Sequence, residues 1–419
     1  MQNMNEWRLR KKMENNDVVI IGAGPAGLAA AIECRKHDLQ VIVLDEFPQP
    51  GGRLLGQLHE EPTGEWWNGI EESKKLVDKA NELNTTIRCG VSVHHIETLD
   101  DHFAVHTNEE SILAKNVLIA TGAAESAAPI PGWTLPGVMS IGAAQVMTNV
   151  HRVSVGKKGV VVGVNVLSAA IARELQLAGI NLHCMALPVK NTVSEDQAHP
   201  KKVMERLVRI AHLAPSTFIK FGSKFAKDSK FVQRLAVQFF PKSGVKMWGM
   251  PIHLRKAIKE INGTDKVESV TMVDITADGE VISGTEEEIP VDFVCIAGGL
   301  YPLAELAAVV GCPFKYLEEL GGHVPVHNDK METPIEGIYI AGNITGIESA
   351  KVAREQGRVA GLSIAKKLTN KPDIDVELNQ ALANVDATRK AATIQFHPNI
   401  EAGREKVREA YQELKRIKE

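Results

Sequence analysis

Three glycines near the start of the chain, Gly22, Gly24 and Gly27, have the G-x-G-x-x-G spacing of a turn that binds a dinucleotide. In such a turn the first glycine permits a tight bend, the second lets a pyrophosphate approach the backbone, and the third lets helix and strand pack closely. Pro25 and Ala26 stand between the second and third glycines and belong to the predicted site. The helix that follows would direct its N–H groups and the positive end of its dipole at the pyrophosphate.

The residues around these glycines predict the strands and the helix that such a site requires. The apolar run Val18–Ile21 predicts a buried strand before the turn, and a helix is predicted from Leu28. The next apolar run, Val41–Leu44, ends in Asp45, and an acid at this place can hydrogen-bond a ribose hydroxyl. Glu46 follows directly and is assigned to the same site. Because all these parts are in register, we expect a bound dinucleotide rather than a chance glycine turn.

A second segment, TPIEGIYIAGNITGIESAKVAREQGRVAG, predicts a strand over Gly337–Ala341 that ends at Gly342 and Asn343, and then a helix from about Ser349. In this order of elements the chain resembles flavoproteins with two dinucleotide-binding domains. There the late helix faces the pyrimidine edge of the flavin, where its dipole can stabilise negative charge. The resemblance implies FAD; the alternative is an ordinary closing strand–helix unit. Asn343 replaces the acid that usually holds the ribityl chain, and it keeps an acceptor oxygen without the charge.

Composition limits the class of protein. With 419 residues and 44% apolar content, the chain can bury a large core, and its length suggests two or three domains. No apolar run is long enough to span a bilayer, and the polar, basic first twelve residues do not predict a secretory signal. The five cysteines are scattered without a C-x-x-C, which argues against a local redox disulfide, a cysteine-ligated iron–sulfur cluster or a zinc site. We expect buried thiols in a reducing cytosol, and hence a cytoplasmic protein.

The formal net charge of −4 hides a basic segment. Residues 201–260 hold 14 Lys and Arg against three acids, a local charge of +11, and seven of the twenty aromatic residues. A basic, aromatic-rich helical stretch can dock an acidic partner protein or attach to an anionic membrane surface. The other interpretation is a solvated helical face whose aromatic side chains point inward. We favour the docking surface, with peripheral attachment to the inner face of the membrane as the alternative.

A second nucleotide-fold unit begins at about Gly156. A strand over Val160–Val162 and a helix from about Leu167 have the lengths of a βαβ unit, but Asn165 and Ser168 stand where glycines would follow Gly163. No basic residue directly follows the predicted next strand, Leu182–Met185, to hold a 2′-phosphate. NAD(P)H binding is therefore not favoured; the unit either serves as scaffold or holds another nucleotide.

These signals predict an α/β, glutathione-reductase-like flavoprotein with a split Rossmann FAD domain and an inserted second Rossmann-like domain. The strand Lys115–Gly122 ends in Thr121 and Gly122, where the chain is expected to leave the FAD domain, and both are assigned to the cofactor site. The predicted boundaries are 14–125 for the first part of the FAD domain, 126–300 for the insertion, 301–370 for the return, and 371–419 for a linker and helical tail.

Three segments carry a resemblance to one group of flavoproteins: Ala120–Gln145 with its PGWTLPGV sequence, Ala297–Cys312, and the late TPIEGIYIAGNITGI. Over roughly residues 15–370 the chain resembles the larger flavin subunit of dye-linked amino-acid dehydrogenases. That group includes hydrogen cyanide synthase, opine oxidases and proline or D-hydroxyproline dehydrogenases, and it is similar to part of the alpha chain of sarcosine oxidase. The resemblance implies a partner flavoprotein of the amine-oxidase type, which removes hydride from the carbon next to nitrogen, while the larger subunit carries electrons onwards.

The same resemblance bears on individual residues. Gly52 and Arg53, in the loop after Pro50, would lie near the pyrophosphate and the flavin ring, where a cation stabilises negative charge on the reduced flavin. Many members carry a cysteine-rich 2Fe–2S domain at the C-terminus, whereas residues 371–419 contain no cysteine. A separate small 2Fe–2S protein would then supply any cluster.

Catalytic residues are not identified. The sequence has no nucleophile–base pair and no metal-ligand spacing, and we expect neither a metal site nor nucleic-acid binding. Histidines 94, 95, 102 and 106 are interpreted as surface residues, and Glu125 as either a cofactor neighbour or a turn residue. The main hypothesis is an FAD-dependent subunit that passes electrons within an amino-acid or secondary-amine dehydrogenase. The alternatives are a stand-alone NAD(P)H-dependent flavin oxidoreductase and a redox-inactive scaffold subunit.

Overall fold

The computed structural model describes residues 15–61, 64–194, 196–210, 237–392, 396–397 and 399–418. Its strands are β1 Asn15–Ile21, β2 Val41–Asp45, β3 Leu58–Glu60, β4 Trp66–Asn68, β5 Thr86–Cys89, β6 Val93–Thr98, β7 Phe103–Thr107, β8 Ser111–Ile119, β9 Ala123–Glu125, β10 Val138–Ser140, β11 Lys158–Val162, β12 Asn181–Pro188, β13 Val245–Met247, β14 Met250–Asn262, β15 Ser269–Asp274, β16 Glu287–Pro290, β17 Phe293–Ile296, β18 Leu300–Pro302, β19 Phe314–Leu317, β20 Gly322–Pro325 and β21 Ile338–Ile340. The α-helices are α1 Pro25–Lys36, α2 Gly69–Glu82, α3 Ile141–Asn149, α4 Val166–Leu177, α5 Pro200–Ile210, α6 Glu305–Val309, α7 Ala350–Thr369, α8 Ile374–Lys390 and α9 Ile400–Lys418.

The chain forms two compact units. Unit 1 contains the described residues of Met1–Leu55, Asn68–Ala124 and Tyr301–Glu419, and unit 2 those of Gly56–Trp67 and Glu125–Leu300. The described part of 371–419, expected as a separate tail, therefore groups with unit 1. Residues 56–67, expected in the FAD domain, group with unit 2.

The sheet of unit 1 has the order β5-β2-β1-β8-β7-β6. Strands β5, β2, β1 and β8 are parallel, and β21 pairs in parallel with the second half of β8. The residues of β2 are all buried, as expected for a parallel strand covered on both faces. Strand β5 joins the parallel sheet beside β2, and β6, β7 and β8 form an antiparallel meander.

Helix α8 extends the core of unit 1. Its buried residues Ile374, Leu378, Ala381 and Val385 pack into the same apolar cluster as residues of α1, β1 and α7. Burying one such aliphatic side chain stabilises the fold by about 1.5–3 kcal/mol. The segment after Lys371, which the proline led us to interpret as a linker, is therefore a core helix. The predicted C-terminal helix is observed as α9.

The sheet of unit 2 has the order β10-β17-β11-β12-β14-β15-β16, with β13 beside β14. Strand β12 runs to Pro188, three residues beyond the predicted end, because its whole second half is buried. As a result Lys190 lies two positions after the end of the observed strand, closer than the predicted end of the strand would place it. Its ammonium group pairs with Glu280 at 3.3 Å.

Of the predicted docking surface at 201–260, residues 211–236 lie outside the described residues. Several basic side chains in its described part pair with acids from elsewhere in unit 2. Lys242, Lys256 and Lys259 pair with Asp274, Glu287 and Glu286 at 3.1, 2.9 and 3.2 Å. The positive charge of the described part is thus partly compensated. No helix within the described ranges is long and apolar enough to cross a membrane.

Candidate functional site

The glycine turn between β1 and α1 has the geometry that the fingerprint predicts. Gly22 has a φ of +107°, and a Cβ there would lie 2.4 Å from the carbonyl oxygen of Ala120. A Cβ on Gly27 would lie 1.9 Å from the carbonyl oxygen of Gly22. Any side chain at these two positions would force the strand, the turn and the helix apart.

Gly24 has a different role from its two neighbours. Its φ of −76° is accessible to any residue, and no heavy atom lies within 4 Å of the position of a Cβ. Gly52 borders this space, since its own Cβ would lie 3.2 Å from Gly24 Cα. Gly24 is the N-cap of α1, and no side chain caps the helix there. An open space at a helix N-terminus, bordered by glycine, fits a pyrophosphate group.

Asp45 is buried at the end of β2, and its carboxylate contacts the glycine turn. Oδ2 accepts a hydrogen bond from Ala23 N–H at 2.6 Å, and Oδ1 accepts one from Phe47 N–H at 2.9 Å. Burial raises the pKa of Asp45 above its ordinary value, although the two backbone hydrogen bonds act in the opposite sense. The acid that the sequence assigns to the ribose thus holds the turn against the strand, while Glu46 is exposed beside it.

The other predicted residues of the first segment lie at the carboxyl ends of the same sheet. Arg53 is exposed on a 3-10 turn, Gly52–Gly56, and its Nε–H donates to the carbonyl oxygen of Ala123 at 3.0 Å. Thr121 Oγ1 donates to the carbonyl oxygen of Leu303 at 2.5 Å, and Gly122 follows with a φ of +79°. Unit 1 therefore brings together the ends of β1, β2 and β8 and the turn that carries Arg53.

The late loop between β21 and α7 is closed by its own side chains. Asn343 Oδ1 accepts a hydrogen bond from Glu348 N–H at 3.1 Å, and Gly342 N–H donates to Gln356 Oε1 at 3.1 Å. Ser349 is the N-cap of α7, with its hydroxyl accepting from Val352 N–H at 3.3 Å. The amide that replaces the usual acid thus fixes the loop that leads into α7.

Sequence reasoning missed a buried ionic cluster beside this loop. Glu348 accepts hydrogen bonds from Arg389 on α8, at 2.6 Å between Oε1 and Nε, and from Arg404 on α9. The three residues are 8%, 7% and 5% exposed, respectively. Burial acts to raise the pKa of Glu348, but the charges and hydrogen bonds of the two arginines outweigh it and hold that pKa below its ordinary value.

The N-terminus of α4, where a second nucleotide would bind, is closed by a capping box. Asn165 Oδ1 accepts from Ser168 N–H at 2.8 Å, and Ser168 Oγ accepts from Asn165 N–H at 2.9 Å. Asn165 Nδ2 also donates to the carbonyl oxygen of Ala297 at 3.1 Å. These side chains occupy N–H groups at the start of the helix that a phosphate would otherwise use.

Unit 2 also contains a buried carboxylate that the sequence did not indicate. Glu174 on α4 is 4% exposed, and it accepts hydrogen bonds from Gln145 Nε2 and Asn149 Nδ2 at 2.8 Å each and from Leu58 N–H at 3.1 Å. Burial raises the pKa of Glu174 to about 7 in spite of these three neutral donors. Asn149 also donates to the carbonyl oxygen of Gly56 at 2.6 Å, so the polar cluster fastens residues 56–58 to α3 and α4.

The other residues considered in the sequence have ordinary roles. Glu125 accepts from Ser140 Oγ and from Gly142 N–H, both at 3.0 Å, and so stabilises the start of α3. All five cysteines are free thiols, and four are buried, the exception being Cys89. His106 Nδ1 is hydrogen-bonded to Ser111 Oγ at 2.7 Å on the partly exposed β7. Among the residues that the structure describes, no group of three or more His, Cys, Asp or Glu could hold a metal ion.

A sequence model of the pyridine nucleotide-disulphide oxidoreductases matches residues 16–357. The chain belongs to this family. An opine oxidase subunit of Rhizobium meliloti is 27% identical over 359 residues, which are 83% of this chain and 62% of the relative. The chain thus spans less than two thirds of that protein. Hydrogen cyanide synthase subunit HcnB of Pseudomonas protegens is 22% identical over 83% of this chain and 69% of its own.

A further relative and a solved structure are also similar to this chain over most of its length. Thioredoxin reductase of Bacillus subtilis is 26% identical over 83% of this chain and 93% of its own. The structure of L-proline dehydrogenase from P. horikoshii aligns with a TM-score of 0.61 and 22% identity, over 88% of this chain and 60% of that one. The predicted fold class, the oxidoreductase class, FAD as cofactor and the resemblance to opine oxidase and hydrogen cyanide synthase subunits are confirmed.

Proposed function

We propose that this chain is the electron-transferring FAD subunit of a complex that oxidises an amino acid or a secondary amine of the proline, hydroxyproline or opine type. The names of the relatives support this proposal, since the opine oxidase and hydrogen cyanide synthase proteins are called subunits. The observation that carries it is the capping box of Asn165 and Ser168. It disfavours a pyridine nucleotide as the direct source of electrons and leaves a partner protein as the source.

FAD would lie across the carboxyl ends of β1, β2, β8 and β21, and it supplies a two-electron acceptor that can release electrons again. The open space at Gly24, bordered by Gly52 and by Pro25 and Ala26 on α1, would hold the pyrophosphate. Glu46 would bind the ribose, because it is exposed whereas the carboxylate of Asp45 is buried against the glycine turn. Arg53 would place positive charge near the flavin ring.

The cysteines of this chain support the same proposal, because they do not form the redox-active pair that usually accepts electrons from the flavin in this family. A disulphide reductase passes electrons from flavin to a redox-active cysteine pair, and this chain has no C-x-x-C sequence. The four buried cysteines have raised thiol pKa values because of burial, for example to about 11 at Cys312 and about 12 at Cys295. Such thiols are poor nucleophiles. Electrons would therefore leave by way of another protein.

The second candidate is a stand-alone NAD(P)H-dependent flavin oxidoreductase. It is favoured by the similarity to the B. subtilis thioredoxin reductase, which extends over 93% of that protein. Anaerobic stopped-flow absorbance separates the two. Flavin bleaching by NADH or NADPH with the chain alone would support the second candidate. Bleaching only with an amine substrate and the partner flavoprotein would support the first. A bound flavin that no donor reduces would point to the redox-inactive scaffold.

The partners proposed are a second flavoprotein of the amine-oxidase type and a small 2Fe–2S protein. Docking through 201–260 and 371–419 would combine charge with aromatic burial. A pull-down from native extract at moderate salt, followed by mass analysis, should recover both proteins in defined ratio. If the chain elutes alone and anionic liposomes retain it, the docking hypothesis is wrong and the membrane-surface alternative holds.

A further inference from the structure

The cluster of Glu348, Arg389 and Arg404 joins the two C-terminal helices to the loop before α7. Glu348 directly precedes the N-cap Ser349, and its two oxygens accept hydrogen bonds from arginines that are 41 and 56 residues away in sequence. Arg389 also donates from Nη2 to Glu348 Oε2 at 3.2 Å. A carboxylate at the start of a helix is favourable by itself. Two buried guanidinium groups are therefore more positive charge than is needed to compensate the carboxylate of Glu348.

Arg404 also holds the backbone of the loop. Its Nη1–H donates to the carbonyl oxygen of Thr345 at 2.7 Å, within the 3-10 turn Asn343–Thr345. The neighbouring His327 donates from Nδ1 to the carbonyl oxygen of Pro325 at 2.7 Å, which leaves Nε2 as an acceptor 3.4 Å from Arg404 Nη1. Burial and the charge of Arg404 lower the pKa of His327 to about 3, so this imidazole is neutral.

The buried part of the cluster thus carries two positive charges and one negative charge. The remaining acids that pair with Arg389 are Asp386 and Glu401, and both are largely exposed, so solvent screens them. Arg404 Nε is buried without a hydrogen-bond partner among the described residues. The excess positive charge adds to the positive end of the α7 dipole.

We propose that Arg389 and Arg404 are positioning residues of the flavin site, which fix the loop Gly342–Ser349 and raise the reduction potential of the bound FAD. The inference rests on the proposed assignment of this loop to the flavin. Reduction adds negative charge to the flavin, and buried positive charge at the start of α7 favours that state over the oxidised one. The C-terminal helices are therefore part of the redox site as well as of the core.

The test uses the full chain with FAD and needs neither an amine substrate nor a partner. Arg404→Met should weaken FAD binding about tenfold, measured by fluorescence titration of the apo-protein. If the variant weakens the binding of reduced FAD ten times more than the binding of oxidised FAD, the midpoint potential of the bound flavin falls by about 30 mV. Equilibration with redox dyes measures this potential. Arg404→Lys should recover most of both effects. Arg408→Gln is the matched control, because Arg408 lies one turn further along α9 and pairs at the surface with Asp329 at 3.3 Å.

Glu348→Gln gives the decisive comparison, because it removes the negative charge and leaves both cations. It should raise the midpoint potential, in the direction opposite to Arg404→Met. A purely structural cluster would lower thermal stability in both variants without opposite shifts of potential, and that result would overturn the proposal. If Arg404→Met does not fold, Arg389→Met and Glu348→Gln carry the same comparison. Failure of the amine-dehydrogenase hypothesis would leave these measurements unaffected.

Discussion

The carboxylate of Asp45 accepts a 2.6 Å hydrogen bond from the backbone N–H of Ala23, so the end of β2 is fastened to the glycine turn. The adjacent acids Asp45 and Glu46 therefore have different surroundings. Asp45 is 7% exposed and has a second bond from Phe47 N–H, whereas Glu46 is exposed. Asp45 maintains the shape of the glycine turn, and Glu46 is proposed to contact the ligand.

We therefore expect Asp45→Ala and Glu46→Gln to have different effects. Asp45→Ala leaves two backbone N–H groups without their acceptor and should destabilise the apo-protein by about 1–3 kcal/mol, measured by urea unfolding. Glu46→Gln should leave unfolding unchanged and weaken FAD binding up to tenfold, measured by titration. The assignment is wrong if Glu46→Gln binds FAD like the wild type while Asp45→Asn, with stability preserved, does not.

Gly24 and Gly27 should also differ when replaced. Gly24→Val adds a side chain to the open space in front of α1, so the protein should fold but lose the visible absorbance of bound flavin. Gly27→Ala would place a Cβ 1.9 Å from the carbonyl oxygen of Gly22 and should impair folding itself. Circular dichroism checks the fold of each variant. Retention of flavin by folded Gly24→Val would exclude the proposed pyrophosphate position.

Local patterns in the sequence predict unit 1 well near its glycines, because turn, strand and helix there depend on residues a few positions apart. They predict the C-terminal cluster poorly. The charges of α9 alternate as in a solvated helix, and only the packing of α9 shows that Arg404 is buried and Arg408 is not. The burial of Glu174 could not be predicted from the sequence either, because an acidic residue within a helix usually faces water. A long-range contact leaves no periodic signal in the sequence.

Glu174 predicts how stability changes with pH. Its pKa is raised from 4.5 to about 7, so the folded chain binds this proton more tightly than the unfolded chain does. The contribution of Glu174 to the free energy of unfolding is fully present below pH 4.5 and decreases as the pH rises from 4.5 to 7. The total decrease is about 3 kcal/mol, and the contribution does not change further above pH 7. Glu174→Gln should remove this slope in thermal midpoints measured from pH 5 to 8. The exposed Glu268→Gln serves as control, and an unchanged slope in Glu174→Gln would contradict the assignment.

The reactivity of the Cys89 thiol provides a test of where the cofactor binds. It is the one cysteine that is not buried, and it is the register partner of Asp45 across the parallel pair β2–β5, at the end where the dinucleotide is proposed to bind. In the native apo-protein a thiol reagent should modify one cysteine, whereas the unfolded chain should give five. Because burial raises the pKa of Cys89 and Asp45 raises it further, the reaction should be slow at neutral pH and faster at alkaline pH. Bound FAD should slow it further by covering this edge of the sheet, and Cys89→Ala should abolish the native reaction. Equal rates with and without bound FAD would show that the cofactor does not reach the end of β5.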